Sequence, residues 1–162
     1  MIKNENQYKL DLQLQRSVEW VKFAEAKNGI ALTLVSAVFF CILKNDFGIG
    51  HYFKTVLISI LVALIGLLIY SFIPRLKWRF KRKKLEHKPN LHYFGDVANI
   101  TLEEFKTQLI ENYEGFECES RYFNDITCQI KINCEIALLK FLIFKIVCVI
   151  LYIPLIIILI SA

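Results

Sequence analysis

Few side chains in this sequence stand at spacings that could do chemistry. His87 and His92 are five residues apart, and neither a nucleophile motif nor a glycine-rich phosphate loop accompanies them. Three cysteines in the same polar region follow the spacing C-x9-C-x5-C, which is not a zinc-binding pattern. The carboxylates between residues 103 and 119 are typical of a solvated helix face. We therefore expect no enzyme, and neither a metal nor a cofactor.

The elements that must position these residues are set by blocks of hydrophobic sequence. Hydrophobic residues make up 56% of the 162 residues. Residues 55–74 hold no charge, and at about 1.5 Å per residue a helix of this length crosses the roughly 30 Å of a bilayer core. Residues 28–44 and 141–162 form two further blocks, the latter interrupted only by Lys145, which we expect to reach out to the membrane surface. We predict three transmembrane helices with these bounds.

Positive charge is concentrated directly after the second span. Residues 75–88 carry a net charge of +7, whereas residues 89–140 carry a net charge of −5. Because positive residues beside a span stay in the cytoplasm, we expect the N-terminal residues 1–27 and the region 75–140 to be cytoplasmic. The loop 45–54 and the C-terminus should then lie outside. The basic strip suits anionic lipid headgroups, while nucleic acid is not an expected partner because the acidic remainder repels phosphate.

Two of the spans should continue as long polar helices. Residues 8–27 carry apolar positions at helical spacing, with no proline or glycine before the first span. This stripe consists of Leu10, Leu14, Val18 and Val21. From about Ser120 a second pattern runs unbroken into the third span, which indicates a single helix of roughly 40 residues. Its stripe consists of Tyr122, Ile126, Ile130, Cys134 or Asn133, and Ala137.

A patterned segment, PNLHYFGDVANITLEEF, occupies residues 89–105 between the basic strip and the acidic region. Thr101 and Glu104 stand at capping-box spacing, which predicts a short helix over residues 102–112. The fold class that follows is an all-α membrane protein with three transmembrane helices. A small cytoplasmic helical bundle is formed by the extensions of spans one and three together with the short helix.

Small residues recur at helical spacing on the first two spans, which should pack antiparallel. They are Gly29, Thr33 and Ala37 on the first span and Ser59, Ala63 and Gly66 on the second. Small residues let transmembrane backbones approach closely. These stripes therefore indicate either packing within one chain or contact between copies in a homo-oligomer.

Three segments of the sequence resemble the Pycsar-type transmembrane effectors of bacterial anti-phage defence. They are AEAKNGIALTL at 24–34, NLHYFGDVANITLEEF at 90–105 and YFNDITCQIKINCEIALLKF at 122–141, with Glu25 where an aspartate is expected. The resemblance implies that a partner cyclase makes a cyclic nucleotide on infection and that this chain senses it. The effector then rearranges or oligomerises and impairs the bacterial inner membrane, so that the cell stops growing or dies before phage is released.

A cyclic nucleotide requires a cation for its phosphate and an aromatic or apolar slot for its base. The residues that could supply a site are Arg75, Arg79, Lys81, Tyr93, Phe94, Gly95, Asp96 and Asn124. The first three are cations, the two aromatics face the base, and the glycine allows close backbone approach. Asp96 or Asn124 would read a ribose hydroxyl or a base edge.

Two alternatives compete with this interpretation. At the level of the residues, Tyr93 and Phe94 would seal the helical bundle at the membrane surface, and Asp96 would cap a turn. At the level of the protein, the chain would be a constitutive membrane-anchored interaction protein. It would recruit a cytoplasmic partner through its acidic face, without sensing a nucleotide.

Overall fold

The computed structural model describes residues 2–45, 48, 50–73, 87–113 and 120–161, and over these residues its regular elements are all α-helices. The helices are α1 (Ile2–Lys44), α2 (His51–Phe72), α3 (Phe94–Asn99), α4 (Leu102–Asn112) and α5 (Arg121–Ser161). Three of them, α1, α2 and α5, are long and apolar enough to cross a membrane. The predicted all-α class with three spanning helices is confirmed.

The two long helices are continuous, as the sequence pattern predicts. α1 has 43 residues and α5 has 41. Each helix contributes residues to both of two compact units into which the chain divides. The polar unit consists of Met1–Phe23 and Arg75–Leu139, and the apolar unit consists of Ala24–Pro74 and Lys140–Ala162.

In the apolar unit, α1 and α2 run antiparallel. Asn28 near the start of this part of α1 donates to Ser71 near the end of α2, at 3.1 Å from Nδ2 to Oγ. At the other end, Lys54 Nζ donates to the carbonyl of Asn45, at 3.1 Å. The buried side chains recur at intervals of three and four, which gives each helix one inward face. They include Ala31, Val35, Val38 and Ile42 on α1, Leu57, Leu61, Leu64 and Leu68 on α2, and Ile143, Val147 and Leu151 on α5.

Most residues of the small-residue stripes do not make this contact. Thr33, Ala37, Ser59, Ala63 and Gly66 are all exposed. Gly29 alone is half-buried, and a Cβ placed on it would lie 4.0 Å from Cζ of Phe72 on α2. Packing of the first span against the second therefore uses this glycine and none of the other five small residues. The larger aliphatic side chains form continuous ridges on the opposite faces, and ridges of this size interlock and bury more surface than small residues do.

The polar unit buries a different face of α1 from the one that the hydrophobic stripe predicts. Val18 is exposed and Leu14 is only half-buried, whereas Leu10, Gln13 and Ser17 are buried. The polar side chains tolerate burial because each finds a partner. Gln13 Nε2 donates to the carbonyl of Leu91 at 2.6 Å, and Ser17 Oγ donates to the carbonyl of Leu14 at 2.7 Å.

On α5 the predicted stripe is correct in its second half and shifted by one residue in its first. Ile130, Cys134 and Ala137 are buried. Further toward the N-terminus, Phe123 and Thr127 are buried in place of the exposed Tyr122 and the half-buried Ile126. The hydroxyl of Thr127 donates to the carbonyl of Phe123 at 2.7 Å, so the buried threonine is satisfied within its own helix.

The short helix begins where its capping box predicts. Thr101 Oγ1 accepts from the backbone N–H of Glu104 at 3.0 Å, and Glu104 Oε2 accepts from the N–H of Thr101 at 2.6 Å. Phe105 and Leu109 are buried on its inner face. The adjoining helix α3, which covers the aromatic segment, was not predicted, because six residues are too few for a readable hydrophobic period.

Candidate functional site

The aromatic segment that the sequence singles out is folded around a buried carboxylate. Asp96 Oδ2 accepts from the backbone N–H of Asn90 at 3.0 Å and lies 3.1 Å from Nε2 of His87. The carbonyl of Asp96 also accepts from the N–H of Ile100, which ends α3. Asp96 thus ties the chain before α3 to the helix itself, as a turn-closing residue does.

Gly95 lets an aromatic ring lie against the backbone. A Cβ placed on this glycine would come within 2.6 Å of Cε1 of Tyr93, closer than two carbon atoms can approach. The ring of Tyr93 in turn lies 4.9 Å from that of Phe94, measured between centroids. Any larger residue at position 95 would therefore displace Tyr93.

Phe94 connects this segment to α1. Its side chain is buried, and its ring centroid lies 4.9 Å from that of Trp20. Trp20 also packs edge-on against Phe23, at 6.4 Å between centroids. Tyr93, Phe94, Trp20 and Phe23 thus form a row of rings within the polar unit, at distances typical of favourable aromatic pairs.

Beside this row of rings lies an open pocket of about 430 Å³, which we call the α1 pocket. Its lining residues are Arg16, Glu19, Trp20, Phe23 and His92. A narrow cleft shares three of these residues, Arg16, Trp20 and His92. The rest of the cleft is lined by Gln13, Ser17, Leu91, Phe94, Val97, Ile130 and Cys134. The α1 pocket is thus built from α1 and the turn before α3, and the cleft adds residues of α3 and α5.

The walls of the cleft are held by hydrogen bonds between elements. Gln13 bonds to the turn at Leu91, and Asn133 Nδ2 on α5 donates to Ser17 Oγ on α1 at 3.0 Å. Burial raises the pKa of the Cys134 thiol to about 12, so this thiol stays protonated and is not a nucleophile. The cleft is therefore held together by polar contacts between α1, the turn at Leu91 and α5, and its thiol is unreactive.

Lys131 of α5 holds α3 in place from the other side. Its side chain is buried, and Nζ donates to the carbonyl of Ala98 at 2.9 Å and to Glu135 Oε1 at 2.8 Å. Ala98 is one of the last residues of α3, whose carbonyls have no partner in the helix itself. Lys131 therefore caps α3 and positions Phe94 against Trp20.

At the rim, His92 joins the α1 pocket to α4. Its Nε2 lies 2.9 Å from the hydroxyl of Tyr113, and its backbone N–H donates to Asn90 Oδ1 at 3.0 Å. Tyr113 is the C-cap residue of α4. A group that binds at His92 would therefore compete with or adjust a contact to the end of α4.

The chemistry of the α1 pocket suits an anion that carries a flat ring. Arg16 offers a guanidinium, which binds phosphate oxygens in a bidentate manner. Trp20 and Phe23 offer aromatic surface, and Glu19 offers a carboxylate that accepts hydrogen bonds. The volume lies within the range of about 300 to 1,000 Å³ that small-molecule sites have.

The structure brings together four of the eight residues that the sequence suggests for a ligand site. Tyr93, Phe94, Gly95 and Asp96 all belong to the start of α3 or to the residue before it. Asn124 lies in the first turn of α5, where its Nδ2 donates to the carbonyl of Ser120 at 3.2 Å. The predicted cations Arg75, Arg79 and Lys81 lie outside the described residues.

The residues that sequence reasoning missed are those of α1. Arg16, Glu19, Trp20 and Phe23 stand at relative positions of zero, three, four and seven, which is one helical face. A cation, a carboxylate and two aromatic rings on one face form a readable signal. This pattern was overlooked because the first 27 residues were interpreted through the apolar stripe of Leu10, Leu14, Val18 and Val21. Trp20 is not part of that stripe.

Comparison with known proteins places the chain in a family. A model described as the Pycsar effector protein domain matches residues 9–162. The chain is also 30% identical over 140 residues to the Pycsar effector protein RsPycTM of a Rhizobium species, a match covering 80% of this chain and 79% of that protein. No solved structure matches the chain. The chain belongs to the Pycsar effector transmembrane family, and it is a membrane effector in anti-phage defence.

Proposed function

We propose that this effector binds a cyclic nucleotide made by a partner cyclase and, in the bound state, impairs the integrity of the membrane that holds it. The infected cell then stops growing or dies before phage is released. The effector catalyses no reaction itself. Family membership supports the signalling role, and the α1 pocket is the observation that carries direct binding to this chain.

Within the α1 pocket, each lining residue has a role that its chemistry suggests. Arg16 binds the cyclic phosphate, and Trp20 and Phe23 stack against the base. Glu19 accepts a hydrogen bond from a ribose hydroxyl or from an N–H group of the base. Gln15 Nε2 donates to Glu19 Oε1 at 3.2 Å, which supports this carboxylate from its own helix.

The residues around α3 act together with the pocket. Phe94 supports Trp20 from behind, Tyr93 and Gly95 keep Phe94 in position, and Asp96 closes the preceding turn. The strip cations Arg75, Arg79 and Lys81 would add contacts to the phosphate. Asn124 would read a polar edge of the ligand.

The membrane arrangement we propose follows the charge pattern. The spans are residues 28–44, 55–74 and 141–162 in the inner membrane of a bacterium, with residues 1–27 and 75–140 in the cytoplasm. Loop 45–54 and the C-terminus lie outside. We also propose a homo-oligomer, since the described part of one chain holds three helices long enough to span and larger membrane lesions need several copies.

Calorimetric titration of the purified full chain, in detergent and in nanodiscs, tests direct binding. The probes are cyclic mononucleotides and cyclic dinucleotides of each common base. One of them should bind, and Arg16→Gln should weaken it by at least about tenfold, because a hydrogen bond to a charged group contributes about 1.5 to 3 kcal/mol. Arg121→Gln is the matched control, since this arginine has 96% of its side chain exposed.

The same titration distinguishes a ligand site at Arg16 in the α1 pocket from one at the basic strip. If Arg16→Gln binds normally while Arg79→Ala combined with Tyr93→Ala does not, the ligand lies at the basic strip and the α1 pocket is not the site. If none of the probes binds in either environment, the direct-sensor proposal fails.

A potential-sensitive dye in cells tests the membrane role. Wild-type effector should depolarise the membrane when the cyclase is expressed beside it and should leave the potential intact without the cyclase. If the potential is unchanged in both cases, the alternative of a constitutive interaction protein that recruits a cytoplasmic partner is favoured.

A further inference from the structure

A second polar cluster lies in the apolar unit, where nothing in the pocket chemistry requires one. It consists of Glu25 and Asn28 on α1, Ser71 on α2 and Lys140 on α5, and we call it the polar junction. Asn28, Ser71 and Lys140 are buried. The four residues lie at the ends of the three spanning stretches that the sequence predicts.

Lys140 is the centre of the junction. Its Nζ donates to the carbonyl of Ser71 at 2.6 Å and lies 3.1 Å from Oε1 of Glu25. Because α2 ends at Phe72, the carbonyl of Ser71 is among those that a helix leaves without a partner of its own. The ammonium group of α5 therefore caps α2 and at the same time pairs with α1.

Asn28 joins the same three helices but is only partly satisfied. Its Nδ2 donates to Ser71 Oγ at 3.1 Å and to the carbonyl of Lys140 at 3.3 Å. Its side chain is 0% exposed, and Oδ1 has no hydrogen-bond partner among the described residues. A buried acceptor without a donor opposes the arrangement that contains it. The junction therefore includes one group that favours a different packing of the three helices.

Stability alone does not explain why polar and charged residues occupy the polar junction. A buried ion pair is often no more stabilising than well-packed apolar side chains of the same volume. Lys140 stands directly beside a predicted span, where a lysine is ordinarily expected to reach out to the membrane surface, yet its side chain is buried. In this junction, one ammonium group caps one helix and pairs with another, so its displacement would free the end of α2 from both.

We propose that the polar junction is a latch that holds the effector in its quiet state and opens when the membrane is impaired. Lys140 keeps the end of α2 against α1 and α5, and Asn28 lowers the free-energy difference between the closed and open arrangements. Activation breaks the contact between Lys140 and Ser71, after which α2 repacks. The latch rests on the proposed function in one respect, namely that its opening is measured as depolarisation of the membrane.

Lys140→Met tests the latch in cells that contain no cyclase. Methionine matches the lysine side chain as far as Cε and removes the ammonium group. We expect depolarisation approaching that of wild type with the cyclase, together with faster amide exchange in the last turn of α2, residues 69–72. Lys145→Met is the matched control, because Lys145 lies on the same helix and is exposed, and it should change neither measurement. Lys140→Arg, which keeps charge and donors, should stay quiet.

A quiet Lys140→Met variant that still responds fully to the cyclase would overturn the latch. So would faster exchange in α2 with no change in potential, because the junction would then be structural only. If wild type itself does not respond to the cyclase, the proposed function fails, while the exchange and potential of Lys140→Met still judge the latch.

A cross-link decides the matter if Lys140→Met does not reach the membrane. Asn28 Nδ2 and Ser71 Oγ are 3.1 Å apart, so Asn28→Cys with Ser71→Cys places one thiol at each of two contacting positions, in a background without the native cysteines. Oxidised with diamide, this variant should no longer respond to the cyclase, and reduction should restore the response. Each single cysteine variant should respond to the same extent whether oxidised or reduced, because neither can form the cross-link. A full response of the cross-linked chain would show that the junction does not open.

Discussion

Two buried lysines on α5, Lys131 in the polar unit and Lys140 in the apolar unit, perform the same task in different surroundings. Each has less than a tenth of its side chain exposed, 6% for Lys131 and 8% for Lys140. Lys131 donates to the carbonyl of Ala98 near the end of α3, and Lys140 donates to the carbonyl of Ser71 near the end of α2. Both therefore cap another helix at its C-terminus, where cations are favoured.

Their glutamate partners differ, and the difference suggests which lysine is free to move. Glu135 lies one turn from Lys131 on the same helix and has 15% of its side chain exposed. Glu25 lies on another helix and has 45% exposed. If Lys131 left, a nearly dry carboxylate would remain behind, whereas Glu25 would stay hydrated if Lys140 left. The first pair suits a permanent contact and the second a contact that opens.

The largest effect should come from Lys131→Met. It leaves the Glu135 carboxylate, which has only 15% of its side chain exposed, without its ammonium partner and removes the cap of α3, so the free energy of unfolding should fall by about 3 to 5 kcal/mol. Pulse proteolysis of the full chain in detergent measures the loss. Lys131→Met combined with Glu135→Leu should recover most of it, because no buried charge then remains. No recovery in the double variant would show that the cap, and not the charge, carries the effect.

Lys140→Met should cost less. Glu25 remains hydrated, so the main loss is the bond to the carbonyl of Ser71, which corresponds to about 1 to 3 kcal/mol. The same proteolysis measurement compares it with Lys131→Met at equal detergent concentration. A loss as large as that of Lys131→Met would contradict the distinction between a permanent contact and one that opens.

The smallest effect should come from Glu25→Gln. A half-exposed ion pair contributes about 0 to 1 kcal/mol, and glutamine keeps an acceptor for Lys140. Glu135→Gln should cost more, because only 15% of the Glu135 side chain is exposed, against 45% for Glu25, so water screens its ion pair less. Thermal unfolding of the two variants, measured under the same conditions, compares their losses of stability. Equal losses, or a larger loss for Glu25→Gln, would contradict the distinction between the two lysine pairs.

The contacts of the two lysines also differ in how well the sequence predicts them. Lys131 and Glu135 stand four residues apart on a predicted helix, so their pairing is readable as a local pattern. Lys140 and Glu25 are far apart in the chain, and Lys140 sits at the predicted edge of a span, where a lysine is ordinarily expected to reach outward. Its burial depends on where α1 and α2 pack, which no local pattern contains.

The candidate site divides in the same way. The aromatic segment with its glycine and aspartate stands out in the sequence, as does the capping box of α4, because both depend on neighbours within a few residues. The α1 pocket does not, because Arg16 and Trp20 meet His92 and Phe94 only after the chain folds back on itself. The apolar stripe assigned to α1 was misleading for the same reason, since Gln13 and Ser17 are buried only because α5 and the turn at Leu91 supply their partners.

By itself, the sequence determined the three spanning helices, the two long continuous helices and the start of α4. Length, hydrophobic period and capping are properties of local stretches of chain. The tertiary structure alone decided which face of each helix is buried, that most of the small residues are exposed, and that a pocket and a polar junction form. These features depend on pairing between distant residues, where the energy of a buried polar group is set by whichever partner the fold brings to it.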